Sequence, residues 1–263
     1  MSILNDILKN RKEELQSAKS SLPLAELKAR VKDAPAVTSF KTAIQREQNG
    51  PVRLIAEIKK ASPSNGQIRK DFNFSEIVSV YNKKDVSAIS VITEERFFSG
   101  RLDYLGKARK KTLKPLLRKD FIIDEYQVYE SRANHADAIL LIVAALEKTH
   151  LGDLFDLAKC LSLDCLVEVH DWKELDTALY CGAEIIGVNN RDLKTLNINL
   201  KTTFDLLRDI PDDRIVVSES GIYTRPDVMA LEATRTDAML VGTAFMKAAD
   251  IGEKIDELMG KII

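Results

Sequence analysis

With 263 residues, 45% hydrophobic and 30% charged, the chain has enough apolar material for a large core and the balance of an ordinary globular protein, which excludes a disordered or low-complexity polypeptide. Its formal net charge of −1 supplies no overall field to gather nucleic acid or an anionic membrane, so an anionic ligand must be met by local cations. Cys160, Cys165 and Cys181 are odd in number and form no C-x-x-C pair, which points to a reducing cytoplasm. No apolar stretch approaches the roughly 18 residues that span a bilayer, and the acid-containing, amphipathic start is unlike a signal peptide.

Residues 1–50 have helical periodicity. Ile3, Leu4, Ile7, Leu8 and Leu15 form one stripe, Leu24 to Val31 a second stretch, and Phe40–Gln48 a third after Ala34-Pro35 interrupts the pattern. Pro23 stands where a first helical turn tolerates it. This extension has two readings, a plug sealing the bottom of a barrel or a lid over its strand ends, since either buries the same stripe.

Eight short apolar runs follow, each separated from the next by a segment able to hold one helix: Val52–Ile58, Ala88–Ile92, Pro115–Arg118, Ala138–Val143, Cys165–Val169, Ile185–Asn189, Ile215–Ser218 and Ala238–Val241. Near-continuous apolar strands with helical crossovers imply an α/β protein with a parallel sheet buried on both faces. Eight units closing on themselves make a (β/α)8 TIM barrel, here with extra N-terminal helices and expected as one domain over 1–263. Ile251–Ile263 reads as a closing helix, and an end just after the eighth unit fits an enzyme with no fused second barrel.

Active sites of such barrels lie where strands end, and there the ionisable residues gather. Glu57 and Lys59, in IAEIKKASPS, are two residues apart and so share a face of the first strand. Lys119 follows the third strand in LLRKDFIID, Glu168 ends the fifth in LVEVH, Asn189 and Arg191 follow the sixth in IGVNNRDL, and Glu219 ends the seventh in SESGI. One ion pair would suffice for neutrality, so a ring of such groups from several strands favours catalysis over a structural pair at the rim. Ser220, Gly221, Gly242 and Thr243 close the last two strands, where glycines and helix starts suit a phosphate. The loop from Ser62 to Gly66 is either a ligand-orienting segment or a plain turn. Phe98 is placed to flank an aromatic ligand, whereas Trp172 opens a helix and is expected to be packing.

His135, His150 and His170 lack metal-ligand spacing, with His170 an orienting or surface group, and no nucleotide-binding glycine loop is present. No metal and no cofactor are therefore expected. The basic run from Lys107 to Lys114 reads as a solvated helix face without the interleaved aromatics of a nucleic-acid binder.

These motifs, five in the same order, resemble the indole-3-glycerol phosphate synthase family through nearly the whole barrel and the N-terminal helices. The resemblance implies a carboxy-lyase of tryptophan biosynthesis that closes, decarboxylates and dehydrates 1-(2-carboxyphenylamino)-1-deoxyribulose 5-phosphate. It implies Lys119 as general acid and Glu168 as general base, with Glu57 near the reacting groups and Lys59 on the substrate, and leaves open how the two lysines divide proton transfer. Asn189 and Glu219 would bond the polar centre, Arg191 would face the anthranilate carboxylate, Ser220, Gly221, Gly242 and Thr243 would cradle the phosphate, and Ser62 would help orient it. Asn65 departs from the lysine frequent in the family. An ammonium at Lys119, crowded by other cations and partly desolvated, is expected to give up its proton easily. Two alternatives remain: a sugar-phosphate isomerase such as phosphoribosylanthranilate isomerase, disfavoured because no cysteine ends the first strand, and a silent barrel that binds a phosphorylated metabolite or a protein. The expected partner is a small phosphorylated molecule, with no nucleic acid or membrane, on a monomer or at most a weak dimer.

Overall fold

The computed structural model describes residues 3–193 and 195–261. Eight parallel strands close into a barrel: β1 (Arg53–Ile58), β2 (Ala88–Ile92), β3 (Leu116–Lys119), β4 (Ala138–Ile142), β5 (Asp164–Val169), β6 (Ile185–Asn189), β7 (Ile215–Glu219) and β8 (Ala238–Val241). Each pairs with its neighbours in sequence, and β8 closes on β1 from Arg53 opposite Ala238 to Ala56 opposite Val241. All eight fall on the apolar runs. The differences are at the ends, where β3 takes in Lys119 and β7 takes in Glu219, so both side chains leave regular strand rather than loop.

Burial on both faces explains why the runs are so continuous. In β4 all five residues of AILLI are buried. Ile139 and Leu141 join the cluster between barrel and helices, while Ala138, Leu140 and Ile142 join the one inside the barrel. The helical layer comprises α4 (Phe74–Lys83), α5 (Asp103–Arg109), α6 (Glu125–Ala133), α7 (Lys148–Cys160), α8 (Trp172–Tyr180), α9 (Lys201–Leu206) and α10 (Arg225–Glu232), with α11 (Thr243–Lys247) and α12 (Ile251–Leu258) after β8. Side-chain caps start several of them: Asn73, Asp124, Asp171 and Asp250 each accept an amide of the first turn.

The extension divides between the two roles open to it. Its helices are α1 (Ile3–Ser21), α2 (Leu24–Lys32) and α3 (Phe40–Ile44). Phe40 and Ile44 of α3, both fully buried, pack with Ile55, Ala88, Ala138, Ile185, Ile215 and Ala238 from the strand starts, so this short helix is the plug. By contrast Ile3, Leu4 and Ile7 of α1 line the opposite mouth. Between them, Leu27 of α2 packs with Leu15 and with Tyr126 of α6. The third helix stops at Ile44 rather than Gln48, because Gln45 turns extended and Arg46 is claimed by tertiary contacts. Its guanidinium donates to the carbonyls of Gly50 (2.6 Å), Thr234 (2.9 Å) and Glu232 (3.0 Å), bolting the chain to the end of α10.

The basic run is partly structural. Arg109 pairs with Asp137 beneath the barrel, and Lys114 donates to the carbonyl of Val86 at 2.6 Å. Trp172 does open α8, but it is 53% exposed and its indole N–H donates to Asp209, so it is not the packing residue expected. Helix α12 accounts for the closing helix but ends at Leu258, short of the expected stretch, of which residues 262–263 lie outside the described residues.

Truncating the plug tests this division of roles. Phe40→Ala should lower unfolding free energy by about 3–5 kcal/mol, the usual range for a buried Phe in a core. Urea titration measures it, and catalytic turnover well below the unfolding midpoint should persist, because the cavity opens at the end remote from the mouth.

Candidate active site

A pocket at the strand ends collects every candidate site residue read from the sequence: Glu57, Lys59, Ser62, Phe98, Lys119, Glu168, Asn189, Arg191, Glu219, Ser220, Gly221, Gly242 and Thr243. Strand alternation is the reason. Glu57, Lys119, Glu168, Asn189 and Glu219 occupy the inward-facing parity of five strands, directly above the apolar interior layer.

The centre is an ammonium between two carboxylates. Lys119 Nζ lies 2.7 Å from Glu168 Oε2 and 2.9 Å from Glu219 Oε2, and both glutamates are almost wholly buried. Beside them Lys59 Nζ pairs with Glu57 Oε1 at 2.6 Å. Asn189 Nδ2 donates to Glu168 Oε1 at 3.2 Å. His170 stands behind Glu168, its Nε2 3.4 Å from Glu168 Oε1 and its Nδ1 2.9 Å from Glu174 Oε2. It faces two carboxylates rather than open solvent.

This geometry corrects the expectation for Lys119. Its neighbours are acids, not cations, so although burial alone would weaken its hold on the proton, Glu168, Glu219 and Glu57 outweigh that and raise its pKa well above the ordinary lysine value. Burial likewise opposes the charge on Glu168, yet Lys119 and His170 hold it below the usual carboxylate range. His170 loses charge stability by burial and regains more from Glu168 and Glu174, which push it up to about 10. Glu219 goes the other way: burial, helped by Glu168 and Glu57 and only partly offset by Lys119, pushes it up to about 7. Its Oε1 is buried with no hydrogen-bond partner.

Two glycines make room for these carboxylates. A Cβ on Gly187 of β6 would overlap Glu219 Oε1, and one on Gly242 would press on the Glu57 carboxyl. Gly242 also caps α11, whose first amides have no intrahelical acceptors. After β7, Ser220 and Gly221 both take left-handed backbone angles, with φ of 67° and 86°, a turn that suits Gly221 and strains a serine mildly. The first loop forms a two-residue ribbon, Ala61–Ser62 against Gly66–Gln67, and brings Ser62 and Asn65 to the pocket wall. Lys247 of α11 reaches Asn65 Oδ1 at 3.4 Å. Arg191 lines the pocket while donating to the Leu196 carbonyl at 3.2 Å.

The apolar wall lies across the mouth. Phe98 and Phe121 have ring centroids 6.2 Å apart, and Ile3, Leu4 and Ile7 of α1 complete the lining. Sequence reasoning missed Glu94, 1% exposed, which accepts amides of Arg96, Phe97 and Phe98 and so shapes the loop that carries Phe98. The signal was present, since Glu94 closely follows the second strand as the other acids follow theirs. Among the described residues no group of three or more His, Cys, Asp and Glu could hold a metal, and no helix is long and apolar enough to cross a membrane.

Fold and site together define a TIM-barrel enzyme with amines and carboxylates gathered at one mouth. A family model for indole-3-glycerol phosphate synthase matches residues 4–258. Curated relatives of that name are 49% identical over 260 residues in Caldanaerobacter subterraneus subsp. tengcongensis, covering 99% of this chain and 98% of the relative. In Thermoanaerobacter pseudethanolicus the identity is 45% over 257 residues, covering 98% and 97%. The chain belongs to the indole-3-glycerol phosphate synthase family, a family of carboxy-lyases. More distant solved structures share the fold alone: a tryptophan synthase alpha-subunit from Pyrococcus furiosus (TM-score 0.61, 14% identity, 79% of this chain and 98% of that one) and a 3-hexulose-6-phosphate synthase (TM-score 0.62, 15% identity, 81% and 100%).

Glu219 yields a pH prediction. Its proton is bound more tightly in the folded state, so its contribution to stability is complete below its ordinary value of 4.5 and is lost as pH rises through about 7. Glu219→Gln removes that drift. The stability of the variant relative to the unaltered chain should therefore climb between pH 4.5 and 7 in urea titrations, and a difference independent of pH would contradict the assignment.

Proposed function

We propose that the chain converts 1-(2-carboxyphenylamino)-1-deoxyribulose 5-phosphate to indole-3-glycerol phosphate, carbon dioxide and water, as a cytoplasmic step of tryptophan biosynthesis run by protein side chains in one domain. The observation that carries the mechanism is Lys119 held at 2.7 and 2.9 Å between Glu168 and Glu219 below an apolar wall. The phosphate is assigned to the loops of Ser220, Gly221, Gly242 and Thr243, with Ser62 orienting it. The aromatic ring is assigned to the wall of Phe98, and Arg191 faces the ring's carboxylate.

Ring closure joins the aromatic carbon that bears the carboxylate to C2′ of the ribulose chain, and the carbonyl oxygen there takes a proton. Lys119 supplies it. Because the surrounding acids keep this ammonium charged, it meets the developing oxyanion as a fixed cation as well as a proton donor. Loss of carbon dioxide then returns the bonding pair to the ring. In dehydration the C2′ hydroxyl leaves while a base removes a proton, and Glu168 is that base. The two roles are coupled: once Lys119 has given up its proton, Glu168 loses its neighbouring cation and its own affinity for a proton rises when it is needed. Glu57 and Lys59 lie beside the reacting groups, and their ion pair supplies a second acid–base couple for dehydration.

The first experiment mixes purified protein with the carboxyphenylamino-deoxyribulose phosphate and follows indole fluorescence. Lys119→Ala should lower kcat by about a hundredfold or more, the scale of a lost general acid. Near-normal turnover in that variant would remove Lys119 from the role. Glu168→Gln should lower kcat more than it raises KM, because a base acts mainly in the transition state. Ligand binding without turnover in the unaltered protein would instead support a silent barrel.

A further inference from the structure

Helix α1 reaches the mouth without belonging to the barrel, and three sets of contacts along it do different work. Its C-terminal end is fixed: Lys19 pairs with Asp124 at 2.8 Å, and Tyr126 Oη donates to the carbonyls of Ala18 and Leu22 at 3.2 and 3.0 Å. At its first turn Ile3, Leu4 and Ile7 hang over the pocket. Between them Arg11, nearly buried, places Nη2 2.7 Å from Oδ1 of Asp120, whose side chain is wholly buried.

Asp120 is the residue after Lys119. Its Oδ1 also accepts the amide of Phe121 at 2.8 Å, and its Oδ2 accepts from Thr93 and from Arg118 at 3.1 Å. One carboxylate therefore ties together α1, the end of β2, the outward face of β3 and the backbone of a pocket-lining phenylalanine. A second tie lies one residue away, where Arg96 donates to Asn10 Oδ1 at 2.7 Å from the loop that carries Phe98. Both loops that bear the aromatic wall are fastened to the same turn of α1, and neither fastening reaches the loops after β7 and β8.

We propose that Arg11 is a positioning residue: through Asp120 it latches α1 over the aromatic side of the mouth and thereby sets affinity for the ring of the ligand, leaving affinity for its phosphate unaffected. The inference rests on the functional reading above, which assigns a carboxyphenyl ring to that wall. An unlatched α1 pivots on its fixed end and withdraws Ile3, Leu4 and Ile7, so ring burial weakens while the acid–base cluster beneath is unchanged.

Arg11→Met tests this, with Lys12→Met as control, since Lys12 is exposed on the same helix and loses the same charge. Asp120 keeps Arg118 and Thr93 in the variant, so its buried charge is not left without partners. KM for the substrate and Kd for indole-3-glycerol phosphate should each rise about tenfold, equivalent to about 1.4 kcal/mol, with kcat within about threefold. Kd for glycerol phosphate, which lacks the ring, should not move, and Arg11→Lys should recover part of the loss. A folded Arg11→Met variant with normal KM, or one that loses both ligands equally, overturns the proposal. Hydrogen exchange on the unaltered protein needs no variant: α1 amides should slow by about tenfold or more with indole-3-glycerol phosphate and not with glycerol phosphate, and equal slowing with both or with neither also overturns it. An unaltered protein without turnover would sink the functional reading instead, a result distinct from an active enzyme indifferent to Arg11.

Discussion

The arrangement around Lys119 imposes the severest constraint on this molecule. An ammonium and two carboxyl groups lie at the end of an apolar barrel, where an unpaired ion would be very costly and a pair breaks even only with good geometry. Three strands must therefore hold their side chains to within tenths of an ångström of one another. The closed sheet does this because its registers are fixed all round. Asn189 stands opposite Glu219, Glu168 opposite Gly187, and Ile92 opposite Lys119. The two acids do not behave alike. Glu168 shares Lys119 with Glu219 but has His170 and Asn189 besides, whereas Glu219 has one oxygen without any partner. The cluster thus separates into a committed ion pair and a carboxyl whose pKa is pushed by burial up to about 7.

The rest of the chain serves the two ends of that barrel unequally. At the bottom α3 fills the interior with Phe40 and Ile44, and Arg46 seals the seam to α10, both of them stability features. At the top the loops carry polar groups that are left open to a ligand, and apolar cover comes from outside the repeat, in α1. A segment of about 50 residues thereby supplies both a core-completing piece and part of the pocket lining. Its sequence distinguishes the two poorly, since an apolar stripe on a helix records that it is covered and not by what.

The eightfold alternation was readable because parallel strands buried on both faces leave long apolar runs, and each strand of the barrel lies on one of them. Site membership was readable for a related reason: a charged residue ending such a run has nowhere to point but the mouth or the helix layer. What could not be read was the sign of the local field at Lys119. Lys59 and Lys119 looked like neighbouring cations in the motifs, while the acids that surround Lys119 come from β5 and β7, about 50 and 100 residues further along. Long-range pairing decides that field, and spacing along the chain carries no trace of it. The same holds for Arg11 and Asp120, 109 positions apart, and for Trp172, whose exposure depends on where α8 meets the loop that carries Asp209.

Gly187 and Gly242 bear on how such a site can change over generations. Each leaves free the space that its neighbouring glutamate needs, so the glycine and the acid are one inherited unit. A larger residue at position 187 is barred while Glu219 stands, and becomes admissible once that side chain has been shortened. Routes toward a different set of side chains on this barrel therefore have an enforced order: the acid must go first, before the strand beside it is free to vary. Drift in the two strands is ratcheted, and loss of the acid followed by filling of the glycine would be hard to reverse.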